Sequence, residues 1–326
     1  MTAATSDAGR RHDAQQSHDA QQSHAAQQSG FILVAALWIL AALAALTVIF
    51  SSYLSSSARA LRLEDDRVQT EALISAAIEL TAYRLLLGKD DQRPAQGGFR
   101  LRLGDNDLEV SFLTEGARID LNEAPKEMIA NLFTVLGANG GAAQDYAERV
   151  VAWRKKPAGS VGAQSEEALY AAAGRDYPPR LAPFVHVDEL ALVLGPPPGL
   201  VDRALPFVTV FSGAAGVDVL TAAPEVVAAL PGMTPLVLKD FLASRAALPR
   251  ETAAIAQALG PASAGAAIPK SKAWRARIVA RSSAGRLSAS TVVIAPGGEN
   301  VPYRVLSRQD DDGRSGREAA GPRQSP

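Results

Sequence analysis

No charged side chain occurs between Phe31 and Arg59, and over 31–50 the chain is apolar except for Thr47. About twenty such residues at helical rise cross a hydrocarbon core roughly 30 Å thick. In lipid the segment has to be helical, because each backbone amide and carbonyl must find its partner inside the segment. The run therefore reads as one membrane span over about 31–54, with a short segment before it and the bulk of the chain after it. Its start is abrupt, since Ser29 and Gly30 close a polar leader and Phe31 opens the apolar stretch.

The leader, 1–30, is of low complexity, with His-Asp-Ala-Gln-Gln-Ser repeated from His12 and His18. Such a composition buries no core and is expected to be disordered. Arg10 and Arg11 are offset by Asp7, Asp13 and Asp19, and Arg59 and Arg62 come after the span, so charge alone leaves the orientation open. A secretory signal cleaved near 58–60 is the rival reading. Its apolar region would exceed the usual length of about 7–15 residues.

Gly30 followed by Phe31 resembles the class III signal of type IV pilins and type II secretion pseudopilins. The resemblance implies cleavage after Gly30 by a prepilin peptidase and N-methylation of Phe31. Most pilins carry Glu at the fifth residue after the cut. Here that position is Ala35, as is common in minor pseudopilin K, the proposed tip subunit.

Composition removes several function classes. A net charge of −1 gives no electrostatic case for nucleic acid or an anionic surface as main partner. With no cysteine there is no disulfide, thiol nucleophile or thiolate metal site. Three of the four histidines lie in the leader, leaving His186, too small a supply for a histidine-rich zinc site. The glycine-rich stretch 194–199 lacks the spacing of a phosphate-binding loop. Nothing reads as an enzyme.

Beyond the span, Leu73, Ala76, Leu80, Tyr83 and Leu87 recur at helical steps, with Ile74, Ala77, Ile78 and Leu85 beside them, and Gly88 is a natural stop. One long helix over 31–88 is expected. Strands are expected next at 99–103 and 108–113 about a turn at 104–107, and again at 274–280, 287–294 and 303–306. Between them lies a mostly helical stretch with an internal echo. Residues 119–125 open a helix carrying Met128, Ile129, Leu132 and Phe133, and 217–224 open one carrying Val226, Val227 and Leu230. In both, a polar residue caps and proline sits in the first turn, where its missing N–H does no harm. The expected fold is α+β. A pilin-like transmembrane helix packs on an antiparallel sheet (99–113 and 271–306) that encloses an inserted α-domain at 114–260, with a disordered tail at 307–326.

The motif pair resembles two helical elements in the large α-domain of the K pseudopilin family, as do the helix 146–153 ending at Trp153, the stretch 184–190 and the segment 205–210. His186 is expected as a packed or half-exposed residue before a helix, with Asp188 as its N-cap. The resemblance implies an inner-membrane, single-pass protein with its C-terminal domain in the periplasm. I- and J-type minor pseudopilins would be its partners in capping a pseudopilus that supports export across the outer membrane. It also implies calcium held by carboxylates, but Arg154, Lys155 and Lys156 stand in the acidic positions and Gln164 replaces a glutamate. Calcium wants six to eight oxygens, so no cofactor is expected, and Asp120, Glu166 and Glu167 are the residues that could rebuild a site. The alternatives are a bitopic periplasmic scaffold and a competence-type DNA-uptake protein with a helix-hairpin-helix turn at Pro231-Gly232-Met233. The latter would want a tighter cluster of cations than Lys239, Arg245 and Arg250.

Overall fold

An antiparallel sheet that rests one face on a helix carries its apolar residues at alternate positions. Leu108 and Val110, then Ala276, Ile278 and Ala280, then Val292 and Ile294 obey that rule and are all buried. The computed structural model of the chain describes residues 7–86, 93–155, 160–268, 272–282, 286–298 and 300–311. Side chains are described at 33–56 and 67–86 within the first helix, and from 166 onward in the helix that begins at Ser160.

Helix α1 spans Asp7–Leu86. It begins inside the segment expected to be disordered, so the leader is helical from Asp7. Its alanines and glutamines are good helix formers, and a helix once nucleated propagates at little cost. The candidate span Leu33–Ser56 is wholly unburied, with Leu37, Trp38, Leu40 and Phe50 exposed. Apolar side chains all round a helix suit lipid rather than a water-facing surface.

In the last turns of α1 the buried stripe is Ile74, Ala77, Ile78, Ala82 and Leu85, while Tyr83 is exposed. The stripe expected from sequence centres on the neighbouring series, so it is out of phase by one residue. Both series satisfy a three- and four-residue period. The observed one places Ala77 and Ala82 against the strands, where small side chains let the helix backbone approach closely. The stop expected at Gly88 lies outside the described residues.

The sheet comprises β1 (Gln96–Leu103), β2 (Asn106–Thr114), β5 (Trp274–Arg281), β6 (Leu287–Pro296) and β7 (Tyr303–Asp311), antiparallel in that order. The β1–β2 turn is tighter than expected, two residues rather than four, and Gly104 there has φ +58°. Strand β7 continues to Asp311, so part of the segment expected as a tail is sheet; 312–326 lie outside the described residues. Arg308 on β7 reaches Glu71 of α1 at 2.5 Å.

Strands β2 and β5 are neighbours, with Thr114 opposite Trp274, and everything between them is an insertion. It contains a two-stranded parallel pair, β3 (Ile119–Asp120) and β4 (Val208–Thr209). Around them lie α2 (Lys126–Val135), α3 (Gly140–Arg154), α4 (Ser160–Ala172), α5 (Pro198–Ala204), α6 (Pro224–Ala228), α7 (Pro235–Ser244) and α8 (Thr252–Leu259). Their apolar faces form a core of their own, including Met128, Leu132, Phe133, Val227, Leu230 and Phe241.

The echo is a structural repeat. Asp120 O accepts from Ala124 N at 2.8 Å and Asp218 O from Ala222 N at 2.9 Å. Asp120 Oδ1 accepts from Asn122 N at 2.8 Å and Asp218 Oδ1 from Leu220 N at 3.3 Å. The prolines are not equivalent, however. Pro224 opens α6 at its first position, whereas Pro125 sits one step earlier as the N-cap of α2.

Gly265 lies against Met128 of α2 and Leu230, just past α6, where an added Cβ would lie 2.7 Å from Leu230 Cδ2 and 2.8 Å from Met128 Cε. Overpacking of this kind costs about 1–3 kcal/mol. Gly265→Ala should lower the unfolding free energy by that amount, as read by chemical denaturation of the purified chain.

Candidate functional site

Gly30 and Phe31 both lie on α1, and the Phe31 side chain is outside the described residues. Ala35 stands four residues beyond Phe31, one turn on and on the same face of the helix.

In the α-domain the residues that carried the resemblance form one packed unit. Trp153 is buried at the end of α3, 6.1 Å centroid to centroid from both Tyr170 and Phe184. Its indole N–H donates to Glu189 Oε2 at 3.2 Å. The other oxygen of Glu189 accepts from Val185 N at 2.9 Å and His186 N at 3.2 Å. A glutamate in this stretch thus satisfies a buried tryptophan and the start of a 3₁₀ turn, Val187–Leu192, together. The N-cap of that turn is His186, which accepts from Asp188 N at 3.3 Å; Asp188, expected as the cap, is instead a first-turn acid. Imidazole Nδ1 can accept as a hydroxyl or carboxylate does, so the cap falls on the residue whose backbone is extended. Asn122 joins this unit to the first motif by donating to Phe184 O at 3.0 Å and accepting from Phe184 N at 2.7 Å. Nothing in the sequence marks that pairing across 62 positions.

The residues considered for calcium are engaged elsewhere. Asp120 accepts from Ser212 Oγ at 2.9 Å and Gly213 N at 2.8 Å, and Glu166 pairs with Arg149 at 3.0 Å. Glu167 and Lys155 are exposed. The Gln164 side chain and Lys156 lie outside the described residues. Arg154 donates to the carbonyls of Leu121 and, at 2.7 Å, Ala124. Among the described residues no three His, Asp or Glu side chains gather as metal ligands.

At the Pro231-Gly232-Met233 turn, Gly232 has φ +74° and faces Pro261. Of the cations weighed for nucleic acid, Arg245 donates to Ala222 O at 2.8 Å and Arg250 to Asp218 at 2.5 Å, which leaves Lys239 exposed.

Where the insertion joins the sheet, Glu115 is fully buried between two guanidinium groups. Arg275 of β5 donates to it at 2.8 and 3.2 Å, Arg118 at 3.2 Å, and Thr209 of β4 through its hydroxyl. Burial lowers the pKa of Arg118, with the Glu115 charge opposing the shift and Arg275 adding to it. Removing one partner of a buried ion pair costs about 3–5 kcal/mol, because the remaining charge loses its compensation. Glu115→Ala should destabilise the protein by about that much in denaturant titration.

Burial pushes the Asp120 carboxyl above its usual range, opposed by hydrogen bonds from Asn122, Gly213 and Ser212. A raised folded-state value means that the folded chain holds this proton more tightly than the unfolded one. The contribution is complete below about pH 3.9, the unfolded value, and is lost as pH rises through the folded one. Compared with Asp120→Asn, wild type should gain stability as pH falls from neutral toward about 4, the unfolded carboxyl value, measured by denaturation of both at each pH.

Residues 106–213 match the family model for type II secretion system (T2SS) protein K, so the resemblance drawn from motif order is borne out over that stretch. In structure the chain is similar to one from the crystal structure of the GspK-GspI-GspJ complex of the enterotoxigenic Escherichia coli type 2 secretion system. The TM-score is 0.56 at 16% identity, covering 77% of this chain and 99% of that one. The α+β fold, helix on antiparallel sheet with a large insertion, is thus shared with a solved protein. No curated protein matches.

Proposed function

We propose that the chain is a minor pseudopilin of type II secretion, a K-type subunit at the tip of the periplasmic pseudopilus. The observation that carries this reading is the combination of the protein K match over 106–213 with an apolar span opening behind Gly30-Phe31. The span supports a single-pass protein of the inner membrane, and the resemblance to protein K supports a periplasmic location for the α-domain and sheet.

It works by assembly rather than catalysis. The apolar helix packs among like helices, and the α-domain between β2 and β5 gives it a soluble part too bulky for another subunit to add above it. An acid at position 35 would neutralise the amino terminus of a neighbour in such a bundle. Unpaired in lipid it costs about 3 kcal/mol. A tip subunit has no neighbour ahead of it, and Ala35 removes the cost. The partners proposed are the I- and J-type minor pseudopilins, since the similar solved chain is part of a complex with proteins of those types. A DNA-uptake role is disfavoured by Arg245 and Arg250, which are engaged with the second motif itself.

Co-expression with a prepilin peptidase should shorten the chain by its leader, and mass spectrometry should find N-methylated Phe31 at the new amino terminus. The processed chain should copurify with I- and J-type pseudopilins. A mature chain beginning after Ala60 would sink the pseudopilin reading in favour of ordinary secretion.

A further inference from the structure

Each copy of the repeated motif is closed by an arginine from outside it. In the first copy Arg154, the last residue of α3, donates to the carbonyls of Leu121 and Ala124. In the second copy Arg245, directly after α7, donates to the carbonyl of Ala222 at 2.8 Å. Ala124 and Ala222 hold the same place in the two copies. Each closes its N–H onto the motif aspartate four residues back, and each stands just ahead of the N-cap of α2 or α6. A carbonyl in that place is outside the helix ladder and needs a donor from elsewhere. In both copies the donor is a guanidinium at the end of the next long helix.

We propose that Arg154 is the built-in cation of the first motif, supplying the positive charge that a bound metal ion would otherwise supply and adding hydrogen-bond donors to the loop carbonyls, so that the α-domain is complete without calcium. A planar guanidinium can donate to two carbonyls at once, which a single ammonium point charge does less well. Burial lowers the pKa of Arg154, with the charges of Glu123 and Asp120 opposing the shift. Calcium, by contrast, needs six to eight oxygens. The carboxylate oxygens of Asp120 are already held by Asn122 N, Ser212 and Gly213 N, and Glu166 is held by Arg149. The second copy shows that the arrangement belongs to the motif and is not an accident of one loop. Only the α-domain is involved, so the proposal stands or falls separately from the role at the pseudopilus tip.

The test uses the full chain in detergent micelles, with unfolding monitored by tryptophan fluorescence, to which Trp153 beside Arg154 contributes. Wild type should melt at the same temperature in millimolar calcium and in chelator. Arg154→Ala should melt lower by about 6 °C or more, the scale of two hydrogen bonds to a charged group in a domain of about 150 residues. Hydrogen exchange should rise over 119–126, and Arg245→Ala should act likewise over 217–224. Arg154→Lys, which keeps the charge, should recover more of the loss than Arg154→Gln, which keeps donors without charge. Those two milder variants decide the matter even where the alanine variant fails to fold. A wild-type melting temperature that climbs by many degrees with calcium overturns the proposal, because a metal then binds the folded state. Arg154→Ala melting as wild type, or Arg154→Gln outperforming Arg154→Lys, overturns it too.

Discussion

A carboxylate with no exposed surface survives only where charge and hydrogen bonds replace the water it has lost, and at Glu115 the replacements come from three separate parts of the chain. Arg275 reaches in from β5, Arg118 from beside β3 and Thr209 from β4. Apolar packing adds only a small cluster at this joint, Phe211 of the insertion against Ala273, Val293 and Ala295. One hydrophobic cluster lies between the end of α1 and the sheet, and another fills the α-domain. Between the two cores the chain places an ion-pair network with fixed donor directions. Buried ion pairs are weak sources of stability, but their angular demands are strict. Here they set how the insertion is held on the sheet.

Around that joint the remaining polar contacts act in the same manner. Trp274, opposite Thr114, donates its indole N–H to Pro94 O at 2.9 Å and so draws the segment before β1 onto the junction. Within the α-domain, Asn122 and Glu189 each satisfy several backbone or indole groups from one side chain. Among the described residues the buried Glu115, Asp120, Thr209 and Asp218 link elements far apart in sequence, whereas Thr81 and Asn106 bond within their own helix or turn.

The large elements are legible in the sequence because each rests on a local periodicity. The uncharged run, the alternating strands and the two motif helices all declare themselves within a dozen residues or so. Phase is harder to read than period. Ile74 and Leu73 are equally apolar, and only contact with a sheet distinguishes the face that packs. The N-cap at His186 is hidden by Asp188 two positions on, because aspartate is the commoner cap. The Glu115 network is not legible, since only Arg118 is near in sequence while its other partners are 94 and 160 positions away and no local pattern joins them. The arginines that close the motif loops read in sequence as charges facing solvent or metal. Their actual partners are backbone carbonyls, which a sequence does not mark.

Thr114 and Trp274 are register partners although the whole α-domain separates them along the chain. The β1–β2 and β6–β7 pairs are joined by short connections and can form early. The central pairing of β2 with β5 must wait until its ends are brought together. For a disordered connection, that search costs only about 0.6 kcal/mol more for each doubling of length. A connection that has already folded, with both ends held at Glu115, removes most of the search. The α-domain is then to the sheet what a tight turn is to a hairpin, bringing the two ends of the central pairing together.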